Sequence, residues 1–203
     1  MTQNSELAAP ANEDLRIRRT RKMLQQAMID LTVEIGFQAI TVRDLTERAM
    51  CNRSTFYRHY LDKFDLLNQF MEEALALTRK GDEEMERNPS AHELPGGLMA
   101  LLDHIQENAA FYCVMFGEKG DAAFNQRFRE NVAERFRYLI TKQDVKYDPA
   151  GPPRELRINY VAYAGIGVIA WWLNNGMPCS PEQLARWIGS LSTVASGLVP
   201  RRS

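Results

Sequence analysis

This sequence predicts an all-α chain, on three observations. Apolar residues recur at three- and four-residue spacing along most of its length. Helix-start signals precede several of those stretches. No credible strand and no internal repeat interrupts them. The expected organisation is a disordered polar N-terminus (residues 1–12), a three-helix unit with a helix-turn-helix (13–62) and a larger helical region (63–199).

The first helix begins near Asp14, with Leu15, Met23, Leu24, Ala27, Met28, Leu31 and Ile35 mostly at helical spacing and Gly36 as its stop. Thr41 and Asp44 form a capping-box pattern that opens a second helix, which turns Val42, Leu45 and Ala49 inward. Asn52 is placed to cap a third helix, Arg53 to about Tyr60. Asp62, with Asp65 three residues on, caps a fourth that runs to about Arg79 and carries Phe64, Leu67, Phe70, Met71, Ala74 and Leu75. The charged stretch Arg79 to Ser90 reads as a helix end and a loop. Leu98 to Phe116 reads as one or two helices. Asp121 to Lys142 reads as another, with Phe124, Phe128, Val132 and Phe136 at four-residue intervals. Tyr147 to Pro153 is a loop. Two last helices follow, Arg154 to Asn174 and Pro181 to Leu198, the second announced by Ser180, Pro181 and Gln183.

Composition narrows the function. Hydrophobic content is 45%, which suffices for a packed core. The net charge is −1, unlike that of a uniformly basic nucleic-acid binder. Yet Arg16, Arg18, Arg19, Arg21 and Lys22 fall within seven residues with no acid among them, which fits contact with phosphate at one end only. The cysteines, Cys51, Cys113 and Cys179, have neither metal-ligand spacing nor a disulfide pattern. The N-terminus lacks the apolar core of a signal peptide. The longest apolar run, Val161 to Leu173, falls short of the roughly 20 residues of a membrane span. A cytoplasmic protein, with no membrane partner, no cofactor and no metal, is the expectation. No nucleophile–base spacing or Gly-rich phosphate loop marks an enzyme, and His92, His104 and the cysteines form no catalytic pair.

The second and third helices carry the chemistry. Leu45, Ala49 and Phe56 supply the small apolar contact a helix-turn-helix needs. Arg53, Ser54 and Thr55 open the third helix with groups that read base edges, Arg being the commonest reader of guanine. Tyr57, His59, Tyr60 and Lys63 are candidates for the phosphate contacts that fix register. Thr41 and Lys63 also lie at helix starts, where free backbone N–H groups attract anions.

The run Ala49-Met50-Cys51-Asn52-Arg53-Ser54-Thr55-Phe56-Tyr57-Arg58-His59-Tyr60, followed by Asp62-Lys63 and Leu66-Leu67, resembles the DNA-binding domain of the TetR family of transcriptional regulators. The pair Gly36-Phe37 and Thr41-Val42 fit the same pattern, which covers Arg16 to Leu67. One position departs from it. The family usually has Gly in the turn where this chain has Met50, and Met resists positive φ. The resemblance implies a basic first helix near the phosphate backbone and a C-terminal region that binds a small-molecule effector and forms a homodimer on double-stranded operator DNA.

Residue types in that region add detail. Ala162, Ala164, Gly165 and Gly167 are small enough for close helix approach. With Trp171, Trp172, Leu184, Trp187, Ile188, Leu191 and Val194 they suit an interface built from the last two helices of each chain; Ala164, Gly167, Trp171, Trp187 and Leu191 are the candidates named for it. Aromatic and sulfur groups gather at Phe111 to Phe128. His104, Tyr112, Cys113, Phe116, Phe128, Tyr160 and Tyr163 are the candidates for an apolar effector pocket with a few polar contacts. The expected mechanism is a ligand-driven shift in the spacing of two recognition helices held about 34–36 Å apart, relieving repression. Two alternatives stand beside it: ligand-dependent activation, and redox control through Cys51, whose thiol lies by a helix N-terminus that lowers thiol pKa.

Overall fold

The computed structural model describes residues 9–87, 96–142 and 151–196, and every described element is helical. The chain forms two compact units that divide between Glu72 and Glu73.

The first unit contains α1 (Ala9–Ile35), a 3-10 turn (Phe37–Ala39), α2 (Val42–Arg48), α3 (Arg53–Tyr57) and the start of α4 (Lys63–Arg87). The helix α1 begins at Ala9, inside the stretch expected to lack order. It ends where Gly36 takes a φ of 81°. The capping box opens α2: Thr41 Oγ1 accepts from the Asp44 amide at 3.2 Å, and Asp44 Oδ2 accepts from the Thr41 amide at 2.9 Å. Asn52 stands at the N-cap of α3, but its side chain makes no capping bond. Asp62 does cap α4, through the amides of Phe64 and Asp65, both at 2.8 Å. Leu24, Ala27 and Met28 of α1 are buried with Phe37, Leu45, Ala49, Phe56 and Leu66. Each large side chain so covered contributes about 1.5–3 kcal/mol.

The α2–α3 turn answers the question posed by Met50. Its φ is 48°, so a methionine occupies the left-handed position that glycine prefers. The Met50 amide reaches Glu47 O at 3.2 Å and the Cys51 amide reaches Thr46 O at 3.0 Å. This is a Schellman arrangement that holds the turn despite the side chain. That side chain points into solvent, 85% exposed.

The second unit contains the later part of α4 with α5 (Gly96–Glu107), α6 (Ala109–Phe116), α7 (Ala122–Lys142), α8 (Arg154–Asn174) and α9 (Pro181–Ser196). The charged stretch expected to end the fourth helix is helical as far as Arg87. Inside it, Asp82 is buried and accepts from Arg135 Nε and Nη2, each at 2.9 Å, and from the Gly97 amide at 3.0 Å. Leaving such a charge without its partner costs about 3–5 kcal/mol. The caps Asp121 on α7 and Ser180 on α9 are made, at 2.8 Å to the Phe124 amide and 3.2 Å to the Gln183 amide. Trp172 is buried, and its indole N–H donates to Cys179 O at 2.8 Å, tying the end of α8 to the loop before α9. Residue 198, the expected end of the last helix, lies outside the described residues.

Candidate nucleic-acid interface

The helix α3 is short, and its two sides are chemically distinct. Phe56 is fully buried, with its ring 5.5 Å from that of Tyr57 and 5.6 Å from that of Tyr60. With Leu45 and Ala49 also buried, the small apolar contact expected between α2 and α3 is present. On the other side Arg53, Ser54 and Tyr57 are exposed, and Thr55 is half-buried. Arg53 and Tyr57 are four residues apart and share a face, as do Ser54 and Arg58. Arg58, which the sequence reading passed over, is exposed, and one of its guanidinium nitrogens donates to Thr55 Oγ1 at 3.2 Å. Its i,i+4 relation to Ser54 was the available signal. Along α1, Arg16, Arg18, Arg19, Arg21 and Lys22 are all exposed.

Three expected phosphate contacts find other surroundings. Tyr60 is 2% exposed and packs against Phe56 and His59. A ring so enclosed belongs to the core of the unit and presents no surface to DNA. Lys63 points back toward the 3-10 turn. Its ammonium donates to Phe37 O at 3.1 Å, Gln38 O at 2.9 Å and Ile40 O at 2.9 Å, and lies 5.1 Å and 5.3 Å from the ring centres of Phe37 and Phe64. An ammonium has three N–H donors, and here three carbonyls receive them, so the expected point contact with phosphate gives way to a brace across the unit. The Thr41 hydroxyl donates to Asp44 Oδ2 at 2.7 Å and so is committed to its capping box, though the residue is exposed.

His59 is half-buried. Burial, with the positive charges of Arg21 and Arg58, pushes its pKa below the ordinary histidine value. Cys51 runs against the redox expectation: burial pushes its thiol up rather than down, which leaves less of the reactive thiolate.

In the second unit an aromatic cluster forms between α6 and α7. Tyr112 lies 5.8 Å from Phe116 and 6.3 Å from Phe128, Phe116 and Phe128 are 5.2 Å apart, and the His104 ring is 5.9 Å from Tyr112. Burial raises the Tyr112 phenol and the Cys113 thiol, and lowers His104. Two residues expected in this group are elsewhere. Tyr160 and Tyr163 are exposed on α8, with the Arg129 guanidinium 5.1 Å from the Tyr163 ring centre.

The outward face of α8 and α9 is apolar. Ala164, Gly167 and Trp171 on α8 and Trp187 and Leu191 on α9 are all exposed; Trp171 and Trp187 keep 49% and 46% of their surface in solvent. A Cβ added to Gly165, Gly167 or Gly189 would meet nothing within 4 Å. Trp172 and Leu184, expected with this group, are buried within the chain. The Val194 side chain lies outside the described residues.

Residues 92–193, half of the chain, match a TetR-type family signature described as a transcriptional regulator C-terminal region. The chain is 27% identical over 176 residues to the uncharacterized HTH-type transcriptional regulator YxbF of Bacillus subtilis, covering 85% of this chain and 44% of that one. It is 28% identical over 97 residues to the HTH-type dhaKLM operon transcriptional activator DhaS of Lactococcus lactis, covering 48% and 49% of the two chains. The chain thus spans about half the length of the curated relatives it matches. Among solved structures, a TetR transcriptional regulator from Streptococcus agalactiae 2603V superposes with a TM-score of 0.65 at 22% identity, over 90% of this chain and 98% of that one. At that identity the likeness is one of fold.

Proposed function

This chain belongs to the TetR family of transcriptional regulators, and we propose that it binds operator DNA as a homodimer, with its affinity set by a small molecule held at the α6–α7 aromatic cluster. The observation that carries the DNA reading is the exposed row Arg53, Ser54, Tyr57 and Arg58 on a helix anchored by the buried Phe56. Arg53 suits the O6 and N7 acceptors of guanine in the major groove. Tyr57, Arg58 and the basic residues of α1 suit phosphate. Thr41 keeps a place at the interface through the backbone of the α2 start rather than through its committed hydroxyl.

The α8–α9 face with Trp171, Trp187 and Leu191 is the proposed dimer contact, to which Tyr160 and Tyr163 add their exposed rings. Tryptophan and tyrosine are enriched in such interfaces. An effector with an aromatic or apolar body would suit the cluster of Tyr112, Phe116 and Phe128, with His104 as a polar contact. Bound there, it would shift the population between helix arrangements and so change operator affinity. Relief of repression is the first reading of the outcome. Activation is the second, favoured by the activator DhaS among the relatives.

The test is selection of bound duplexes from a random pool, followed by titration with and without excess nonspecific DNA. A sequence motif whose binding survives competitor supports the reading. Arg53→Ala should then relax the preference at one position in each half-site, by about 1–3 kcal/mol. Recovery of no motif would refute it.

A further inference from the structure

The α2–α3 turn breaks two local rules within three residues. Met50 holds a φ of 48°, a conformation that strains most residues other than glycine, asparagine and aspartate. Its side chain covers nothing in the protein, being 85% exposed, so its apolar surface adds nothing to the core. Asn52 stands where a side chain ordinarily caps the next helix, yet its carboxamide makes no capping bond and is exposed. A glycine in the first place and a capping serine in the second would build the same turn with less strain. Side chains that strain a turn without stabilising it point to contact with something outside the chain.

Their place in the chain says what that is. Arg53, the proposed guanine reader, follows Asn52 directly and is exposed with it. The three residues from Met50 to Arg53 reach at most about 10 Å, which is about three base-pair steps at about 3.4 Å each. The two turn side chains offer complementary chemistry. In the major groove a carboxamide pairs with N6 and N7 of adenine, and an apolar group contacts the C5-methyl of thymine. Methionine suits a methyl group, since it is unbranched, flexible and polarizable. Phosphate is a poor match for it, because a thioether has neither a charge nor an N–H or O–H to donate.

We propose that Met50 and Asn52 are specificity-determining residues that read an A·T pair beside the guanine taken by Arg53, Met50 through the thymine methyl and Asn52 through the adenine edge. This deepens the proposed operator reading and rests on it. The strained φ of Met50 then serves recognition and not folding.

The experiment uses the full-length protein and the duplexes it selects from a random pool, with Kd read by fluorescence anisotropy. Deoxyuridine in place of thymidine removes the C5-methyl and nothing else. The natural protein should select an A·T pair next to the Arg53 guanine. Uracil there should weaken binding by about four-fold per half-site, the factor for one methyl-sized group taken from water. Met50→Leu keeps the apolar bulk and should keep the penalty. Met50→Gly and Met50→Asn suit the turn without the thioether and should bind the thymine and uracil duplexes equally. Asn52→Ser supplies a capping side chain and should relax the adenine preference by about five-fold or more, the loss of a bidentate contact. Circular dichroism confirms the fold of each variant. A uracil penalty of the same size in the natural protein and in Met50→Gly would overturn the role of Met50, as would no penalty in either. An unchanged adenine preference in Asn52→Ser would overturn that of Asn52. A natural protein that selects no motif would sink the operator reading and this inference together, whereas a motif shared by every variant would sink this inference alone.

Discussion

Replacing Lys63 with methionine keeps the apolar stem and removes the ammonium, which separates its two candidate roles. The structure gives that ammonium three carbonyl acceptors and two aromatic neighbours. A hydrogen bond to a charged group contributes about 1.5–3 kcal/mol, and the lower end suits a half-exposed side chain. Fixing a lysine costs about 1.5–2 kcal/mol in rotamer entropy, and the ring contacts return about 0.5–1 kcal/mol. The net loss expected for Lys63→Met is about 3 kcal/mol. At about 2–4 °C per kcal/mol for a chain of this size, the melting temperature should fall by about 6–12 °C. Circular dichroism melts give that number, and operator titrations across a salt series give the second. A lost phosphate contact would lower the slope of log K against log salt by about 0.9 for each protomer. A brace predicts an unchanged slope for the folded protein. An unchanged melting temperature with the slope reduced by that amount would refute the assignment.

Three further outcomes follow from the geometry. Met50 sits at φ 48° with its side chain in solvent, and the left-handed conformation costs a non-glycine residue about 1–2 kcal/mol. Met50→Gly should therefore stabilise the protein by about 0.5–1 kcal/mol after the entropy of glycine is counted; a loss of stability in urea unfolding would show that the side chain packs. The double substitution Trp171→Glu with Trp187→Glu should yield monomers in sedimentation, with weaker operator binding, since each half-site would then be bound alone. A persistent dimer would move the interface off this face. The pKa values of His59 and His104 are both lowered on folding, by burial first. The unfolded chain then binds more protons between the depressed folded values and about 6.5, so stability falls as pH drops below about 6.5. The melting temperature should be lower at pH 5.5 than at pH 7.5, and His104→Phe should narrow that gap. An unchanged gap would remove His104 as a source.

Much of this fold is legible in local sequence, because helix starts depend on residues a few positions apart. The caps expected at Thr41, Asp62 and Ser180 are of that kind, and all three are made; the one expected at Asn52 lacks its side-chain bond. The exposed face of α3 is legible for the same reason, since four-residue spacing settles which side chains share it with Arg53. What depends on distant residues is hidden. Lys63 finds its acceptors 23–26 positions earlier in the chain, and no spacing rule announces that. The stretch from Arg79 reads as a loop by its charge, yet Arg135, 53 residues on, neutralises Asp82 and the backbone of α5 covers Gly81. Tyr160 and Tyr163 read from residue type as polar contacts for the pocket, but α8 is apolar nearly all round, which conceals which of its sides faces out. Met50 shows the limit of single-residue preference: two backbone hydrogen bonds hold a conformation that the side chain disfavours.

The placement of the indole rings has an optical consequence. The chain has three tryptophans, all on α8 and α9 and none before Trp171. Tryptophan emission, excited selectively, therefore reports on α8 and α9 alone. Trp172, enclosed and hydrogen-bonded to Cys179 O, supplies a steady blue component, while Trp171 and Trp187 respond to whatever covers their outer edges. The helix-turn-helix is dark in this channel. A melting curve recorded that way describes α8 and α9, the proposed association face, rather than the part proposed to read DNA.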